Sequence, residues 1–245
     1  SESEFRAHVP DGWQQGRGAF GGLAIGLCLR ALEAVQEDAS RHVRTASAEI
    51  PSPVMVGEAR LVVTPLRRGS GVDALEVHLW QEGEVRARAT GIFGKPRPVD
   101  VDDRPPPPEL PAISQPLPMP PPFASHFEMR STGPLPMSGA ERAAAEGWVR
   151  PRIPFASVSA PEIACLCDVY WPAFFARQTV FRPAATIGFM LQVTPAAYAL
   201  APDALCFMRS RQIHAGGGFS HELRELWSAE GELLALNPQT FAIIK

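Results

Sequence analysis

Cysteine is scarce in this chain, with four residues in 245, and the first half of the sequence contains only Cys28. So few cysteines exclude the disulfide-dense scaffolds of small secreted proteins. The start of the sequence is polar and lacks the apolar segment of a signal peptide. Together these absences predict a protein of the reducing cytoplasm.

Long apolar runs are also missing. No stretch approaches the roughly 20 residues that a membrane-spanning helix needs, so we expect no membrane partner. The formal net charge is −3, and lysine and arginine form no basic stripe. This distribution argues against nucleic acid as a partner. A hydrophobic fraction of 45% and a charged fraction of 20% are typical of a globular protein.

Motifs for metals and nucleotides are weak. Cys165 and Cys167 have no second cysteine pair to complete a zinc site, and the six histidines show no paired spacing, so we expect no metal. A G-x-G-x-x-G match at residues 16–21 does not follow the pattern of a buried strand, so we expect no dinucleotide cofactor. The Gly-x-Ser-x-Gly motif of α/β-hydrolases does not occur.

Proline is concentrated in one segment, residues 95–123. Proline removes backbone donors and favours an extended chain. We therefore interpret residues 96–122 as a stiff connector between an N-terminal domain, residues 1–95, and a C-terminal domain, residues 123–245. A ligand for an SH3-type domain is the alternative interpretation of this segment.

The two halves on either side of the connector are similar in sequence. A Leu-Trp pair followed by Gly-Glu and a strand pattern occurs at Trp80 and Gly83, and again at Trp227 and Gly231. Alternating polar and apolar residues flank the glycine in both copies. Each copy therefore predicts a long β-hairpin with the glycine near its turn.

An apolar helix precedes the strands of each half. The first is predicted from Phe20 to about Gln36, and the second begins near Ser159 with a capping-box pattern and ends or kinks at Pro172. A helix that is apolar on nearly every side must be enclosed. We therefore predict an α+β fold with two long antiparallel sheets, each wrapped around a central helix.

Asp168 is the only acidic residue between Glu162 and Asp203, and it lies in the second apolar helix. A buried carboxylate is costly unless it is hydrogen-bonded or neutralised. Asp168 is therefore our first candidate for catalysis, with a structural carboxylate as the alternative. Thr186 and Gln239, later in the same half, are candidates to assist it. Both are also ordinary strand residues, so a structural role stays open for them too.

The order of these residues resembles the acyl-CoA thioesterase II family. Members of that family have two hotdog domains in tandem. They carry an Asp on the second central helix, a Thr or Ser at an Ala-Thr-Ile-like strand start, and a Gln in the last strand. Asp168, Thr186 and Gln239 match these three positions, and the family's Phe-Gly-Gly motif occurs at residues 20–22.

The resemblance implies a tandem hotdog fold and hydrolysis of acyl-CoA by direct attack of water. The matching Asp, Thr and Gln would orient that water, with the Asp as general base. By analogy, Phe20, Gly21 and Gly22 would bind the substrate and its oxyanion at a helix N-terminus. The alternative for the two glycines is close helix packing. The resemblance also implies a homo-oligomer, a dimer of double hotdogs.

Two residues depart from the family pattern. Gly188 follows the Thr-Ile pair where the family usually has Asp or His, and Pro238 removes a backbone donor just before Gln239. A hotdog protein that binds acyl-CoA or lipid without hydrolysis is therefore an alternative. A hotdog hydratase or dehydratase is another, although no His accompanies Asp168 on its helix.

The first half lacks an equivalent set of polar residues. Gly91 corresponds to Gln239 in the repeat, and Arg30 falls near the level of Asp168. We therefore expect one active site per chain. Arg67, Arg68 and Arg211 are candidates to meet the phosphates of CoA.

Overall fold

The structure is a computed structural model that describes residues 2–98, 100, 103–113 and 121–244. The chain has two α-helices, α1 (Gly21–Val35) and α2 (Ala160–Asp168). It also has three short 3-10 helices, at Pro122–His126, Ala173–Arg177 and Pro195–Ala199. In chain order the strands are β1 (Ser3–Val9), β2 (Gln14–Gln15), β3 (Gly18–Ala19), β4 (His42–Glu49), β5 (Gly57–Arg68), β6 (Val72–Gln81), β7 (Glu84–Gly94), β8 (Phe127–Ser131), β9 (Ala144–Pro151), β10 (Ala184–Val193), β11 (Cys206–Gly216), β12 (Phe219–Ser228) and β13 (Leu233–Ile243).

Eleven of these strands form one antiparallel sheet, in the order β1-β5-β6-β7-β4-β10-β13-β12-β11-β9-β8, and β2 pairs with β3 separately. The order is nearly symmetrical about the β4–β10 pair, as expected for two copies of one domain. The tandem hotdog prediction is confirmed. The two predicted sheets are joined edge to edge, however, because β4 pairs with β10 from Thr45↔Gln192 to Ala48↔Phe189.

The two predicted hairpins are present as β6–β7 and β12–β13. Glu82 and Gly83 form the first turn with φ of 52° and 80°, and Gly231 lies in the second turn with φ of 85°. Backbone of this left-handed type favours glycine. The repeated glycine therefore has the same conformational role in both halves.

Both predicted helices are present, and α1 lies within one residue of its predicted bounds. The N–H of Ser159 donates to Oε2 of Glu162 at 2.9 Å, which satisfies part of the predicted capping box. Helix α2 ends at Asp168, before the predicted stop at Pro172, and Pro172 directly precedes a 3-10 helix. No helix among the described residues has the length and apolar character needed to cross a membrane.

The helices pack side by side against the inner face of the sheet. Their largest fully buried side chains include Ile25, Leu29, Leu32 and Ile163. Full burial of such side chains stabilises the fold by about 1.5–3 kcal/mol each. The two helices and both halves of the sheet share one hydrophobic core, so each half forms part of the environment of the other.

The described part of the proline-rich segment packs on the outer face of the second half. Leu110 contacts an aromatic cluster of Trp148, Phe207 and Trp227, and Nε1 of Trp148 donates to the carbonyl of Pro111 at 3.0 Å. Residues 99, 101–102 and 114–120 of the predicted connector lie outside the described residues. The domain limits 1–95, 96–122 and 123–245 stay a prediction, as does the choice between connector and SH3-type ligand.

Candidate active site

Asp168 is the last residue of α2, and its side chain is buried with 5% of its surface exposed. The carboxylate lies against the first residue of α1. A Cβ atom on Gly21 would come within 2.7 Å of Oδ2 of Asp168, so a larger residue there would displace the carboxylate. The Phe-Gly-Gly motif and Asp168, which are distant in sequence, therefore meet at one point.

The two helices run in opposite directions, which explains this meeting. A Cβ on Gly22 would lie 2.9 Å from Cα of Cys165, and one on Gly26 would lie 3.4 Å from the carbonyl oxygen of Pro161. The N-terminus of α1 thus faces the C-terminus of α2. Partial positive charge at a helix N-terminus favours a carboxylate, so α1 stabilises the ionised form of Asp168.

Gln239 and Thr186 lie at the same point, on β13 and β10. Nε2 of Gln239 donates to Oδ1 of Asp168 at 2.9 Å and to Oδ1 of Asn237 at 2.7 Å. The hydroxyl of Thr186 donates a longer bond, 3.4 Å, to Oε1 of Gln239. The structure therefore brings the three predicted catalytic residues together, with Gln239 between the other two.

Pro238 is accommodated next to Gln239 by a side-chain hydrogen bond. Phe189 pairs with Gln239 and Gln192 with Leu236, so Met190 lies opposite Pro238, which has no N–H to donate. The carbonyl of Met190 instead accepts from Nδ2 of Asn237 at 2.6 Å. The same side chain thus replaces a missing backbone donor and holds Gln239.

Sequence reasoning missed a buried ion pair beside Asp168. Arg224 and Glu222 on β12 are only 1% and 2% exposed, and Nε of Arg224 donates to Oε1 of Glu222 at 2.6 Å. Nη1 of Arg224 lies 3.5 Å from Oδ1 of Asp168. Glu222 and Arg224 alternate with His221 and Leu223, so the pattern alone does not say which set faces inward.

The surroundings of Asp168 act on its pKa in both directions. Burial is the largest influence and raises the pKa of the carboxyl above its usual 3.8, as does the nearby Glu222. Arg224, the Gln239 amide and the N–H of Gly22 lower the pKa, but the net shift is upward. A carboxylate with a raised pKa is a better proton acceptor at neutral pH than an ordinary Asp.

The three residues predicted to bind the substrate differ in position. The N–H of Gly21 is one of those at a helix start that have no partner within the helix. The N–H of Gly22 is hydrogen-bonded to Asp168. Phe20 is fully buried and stacks on Phe123 with ring centroids 4.2 Å apart. Gly21 is therefore the best placed of the three to meet a substrate oxygen.

The arginines predicted to meet CoA phosphates lie away from Asp168. Nη2 of Arg68 donates to the carbonyl of Val35 at the C-terminus of α1, which is about 20 Å from Gly21 at 1.5 Å per helical residue. Arg67 neighbours it on β5. Arg211 is exposed on β11 and pairs with Leu223, whose side chain faces the outer side of the sheet.

The four cysteines are free and buried. Sγ of Cys165 contacts the carbonyl oxygen of Gly22 at 3.1 Å, which ties α2 to α1 just before Asp168. Burial raises the pKa of Cys28 to about 12, so this thiol is unreactive at neutral pH. Among the cysteines, Cys165 therefore contributes to the contact between the helices.

A cavity of about 480 Å³ lies on the outer face of the central strands. Its lining includes Met190, Leu223, Pro238 and Ile213. Gln239 borders this cavity through its backbone, because its side chain points to the inner face and Asp168. The cavity is therefore on the opposite side of the sheet from the carboxylate.

Comparison with protein families gives matches along nearly the whole chain. A family described as acyl-CoA thioesterase N-terminal domain matches residues 9–94, and one described as acyl-CoA thioesterase C-terminal domain matches residues 98–243. No curated protein matches the chain.

Several solved structures are similar to this one. A conserved protein of unknown function with a hotdog fold from Alicyclobacillus acidocaldarius is 20% identical, over 99% of this chain and 93% of that chain, with a TM-score of 0.90. The TesB protein of Mycobacterium avium subspecies paratuberculosis is 20% identical over 99% and 93%, with a TM-score of 0.81. The acyl-CoA thioesterase II TesB2 of Mycobacterium marinum is 18% identical over 98% and 92%, with a TM-score of 0.75.

At these identities the solved structures establish the fold, while the two domain matches establish the family. This chain belongs to the acyl-CoA thioesterase family and has a double hotdog fold.

Proposed function

We propose that this protein hydrolyses acyl-CoA to a free acid and CoA by direct attack of a water molecule. The observation that carries the proposal is the buried Asp168 carboxylate, bonded to Gln239 at 2.9 Å and placed at the N-terminus of α1. A buried carboxylate with a raised pKa, next to the N–H of Gly21 at the start of a helix, combines a base with an oxyanion site.

In the proposed reaction Asp168 takes a proton from water, and the water oxygen bonds to the thioester carbonyl carbon. Thr186 and Gln239 hold the water and the carboxylate in line, a positioning effect. The N–H of Gly21 donates to the developing oxyanion. The C–S bond then breaks, and the proton held by Asp168 passes to the departing thiolate of CoA.

The test is release of free thiol from short-, medium- and long-chain acyl-CoAs. The Asp168→Asn variant is expected to lose about 10²–10⁴-fold in kcat, the range of a general base. Glu33→Gln is the matched control, because Glu33 is a carboxylate at the N-terminus of the other helix, bonded to the N–H of Ala160 at 3.3 Å. The control is expected to retain wild-type turnover.

The outcomes separate this proposal from its alternatives. Equal turnover by wild type and Asp168→Asn contradicts the mechanism. Tight acyl-CoA binding without thiol release by wild type supports a binding protein. Hydration of an unsaturated acyl-CoA supports the hydratase alternative, which would need a histidine. No histidine is among the described contacts of Asp168, which are Gln239, Arg224, Gly21 and Gly22.

The outer face of the sheet supports the proposed homodimer. Apolar side chains are exposed on its central strands, with Met190 at 41% and Ile213 at 55%, next to the cavity that they line. Burial of such a patch against a second copy removes apolar surface from water. Analytical ultracentrifugation is expected to show a dimer for wild type and more monomer for Met190→Lys. A monomeric wild type contradicts this part of the proposal.

A further inference from the structure

A buried ion pair lies directly behind Asp168. Glu222 and Arg224 have almost no exposed surface, and both lie on the inner face of β12. The guanidinium of Arg224 also lies over the ring of Phe241, 5.5 Å from its centroid. Two full charges in the core of a small domain require an explanation, because their removal from water is costly.

The pair contacts the last turn of α2 and the segment that follows this helix. Nη1 of Arg224 donates to the carbonyl of Cys167 at 2.9 Å, one residue before Asp168. Oε2 of Glu222 accepts the N–H of Ala173 at 2.6 Å, just after Pro172. Residues 167–173 are therefore held at two points, and Asp168 lies between them.

The fold itself does not require this pair. In the second half Glu222 pairs with Gln239, and in the first half Leu75 pairs with Gly91 at the same register. Val77 corresponds to Arg224 in the same way, since it pairs with Ala89 as Arg224 pairs with Asn237. Leu75 and Val77 are both fully buried. The repeated domain thus folds with apolar residues at both positions.

We infer that Arg224 is a positioning residue that fixes Asp168 at the end of α2, and that Glu222 holds Arg224 for this task. The inference rests on the proposed role of Asp168 as the general base. Arg224 acts through Asp168 and the carbonyl of Cys167, so it is not itself a catalytic residue.

The charges around Asp168 also make the inference testable by pH. Arg224 and Glu222 face the carboxylate from β12, Cys165 and Cys167 flank it on α2, and Gln239 and Thr186, which are neutral, face it from β13 and β10. Arg224 lowers the pKa of Asp168 and Glu222 raises it. Removal of the Arg224 charge should therefore raise the pKa of Asp168, and removal of the Glu222 charge should lower it.

The experiment measures kcat and KM against pH for three variants. The double variant Glu222→Gln/Arg224→Met removes both charges and keeps an acceptor for the N–H of Ala173. It is expected to lose about tenfold to 10²-fold in kcat through misplacement of the base, with little change in KM. Its acid limb should move up by about 1 pH unit. Loss of the Arg224 charge raises the carboxyl pKa by about 1–3 units, and loss of the Glu222 charge offsets part of that rise.

The single variants supply the controls. Glu222→Gln alone is expected to move the acid limb to lower pH, because it removes a like charge. Arg224→Lys retains the charge and should restore part of the rate and most of the pH profile, which a defect in folding would not do. Thermal unfolding of each variant, followed by circular dichroism, identifies any that fail to fold.

A wild-type rate and acid limb in the double variant, with Asp168→Asn inactive, would overturn the inference and leave the proposed function in place. The pKa of Asp168 is also measurable without turnover, by ¹³C NMR of the carboxyl carbon, assigned from its absence in Asp168→Asn. If wild type releases no thiol from any acyl-CoA, the proposed function fails. The NMR titration then still decides whether Arg224 and Glu222 act on Asp168. An unchanged pKa of Asp168 in the double variant contradicts such an effect.

Discussion

The two halves of the protein share the register of their central strands, but the side chains at a set of equivalent positions differ in polarity. In each half the strand at the junction, β4 or β10, has a bulge at the equivalent position, between Val43 and Thr45 in the first half and between Thr186 and Gly188 in the second. The register then aligns five polar residues of the second half with four apolar residues and one glycine of the first. The aligned residues are Thr186 with Val43, Gln239 with Gly91, Asn237 with Ala89, Arg224 with Val77 and Glu222 with Leu75.

The first half shows what the fold needs without the polar set. The space of the Gln239 side chain is closed there, because a Cβ on Gly91 would lie 2.9 Å from Cδ1 of Leu32. Apolar packing at these positions is therefore compatible with the hotdog fold. The polar residues of the second half are then best explained by function.

The largest expected effect comes from breaking the ion pair that only the second half has. Arg224→Leu is expected to lower the free energy of unfolding by about 3–5 kcal/mol, because it leaves Glu222 buried and unpaired. The double variant Glu222→Leu/Arg224→Leu copies the apolar chemistry of the first half. It should lose no more than about 1–3 kcal/mol, the cost of an N–H without its acceptor at Ala173. Urea denaturation measures both, and equal losses would show that the two charges are not coupled.

A smaller effect is expected when Gln239 is truncated toward its first-half counterpart. Gln239→Ala removes a hydrogen bond to a charged group, which is worth about 1.5–3 kcal/mol, so kcat/KM should fall by roughly tenfold to 10²-fold. Thr240→Ala on the outer face of the same strand is the control and should retain wild-type activity. Hydrolysis rates with one acyl-CoA decide the point, and equal rates for both variants contradict a role for Gln239.

The tight packing of the first half gives the next prediction. Gly91→Ala should cost about 1–3 kcal/mol by overpacking against Leu32 and Phe93. Gly188→Ala, on the outer face of the β10–β13 pair in the second half, is the control, because a Cβ there would lie 3.7 Å from Cβ of Thr240, an ordinary contact. Thermal unfolding should therefore show a clear loss for the first variant and little for the second. Similar losses would contradict the tight packing around Gly91.

The smallest expected effect is on the pH dependence of stability. It comes from two carboxyl groups near helix ends, Glu33 on α1 and Asp168 on α2. Burial raises the pKa of Glu33 above its usual 4.5 and that of Asp168 above 3.8. The folded state then holds these protons more tightly than the unfolded state, so the contribution of these two carboxyl groups to stability falls as pH rises from about 4. The free energy of unfolding of Glu33→Gln and of Asp168→Asn, each measured relative to wild type, should therefore increase between about pH 4 and 7.

Urea denaturation at several pH values measures this gain. Asp168→Asn should gain more than Glu33→Gln, because Glu33 is partly exposed and has Arg30 as an ion-pair partner at 3.1 Å. A stability difference that does not change with pH for Asp168→Asn contradicts the raised pKa.

Sequence patterns predict the repeated parts of this fold well. The Leu-Trp and Gly-Glu repeats located both hairpins, and the apolar runs located both helices. The edge-to-edge joining of the sheets was missed, since pairing of β4 with β10 depends on how two domains meet rather than on either strand alone. The sequence gives only a weak indication of this pairing, because β4 and β10 both have small or apolar residues on the inner face.

The candidate site was predictable in part. Asp168 was found because an isolated acid in an apolar helix is costly, and its two neighbours were found by resemblance. Arg224 and Glu222 were missed because charged residues in an alternating strand usually face water. A signal did exist. Alignment of Trp227 with Trp80 places both charges at positions that are apolar in the first half, Val77 and Leu75.

The contact between Asp168 and the start of α1 means that the site draws its parts from both copies of the domain. In a dimer of separate, identical domains, any substitution would appear at both sites at once, so neither site could lose function while the other kept it. Joining the two copies in one chain removes that restriction. Each copy can then change alone. Side chains at the site positions of one copy can become part of the apolar core, while those of the other copy keep the polar site.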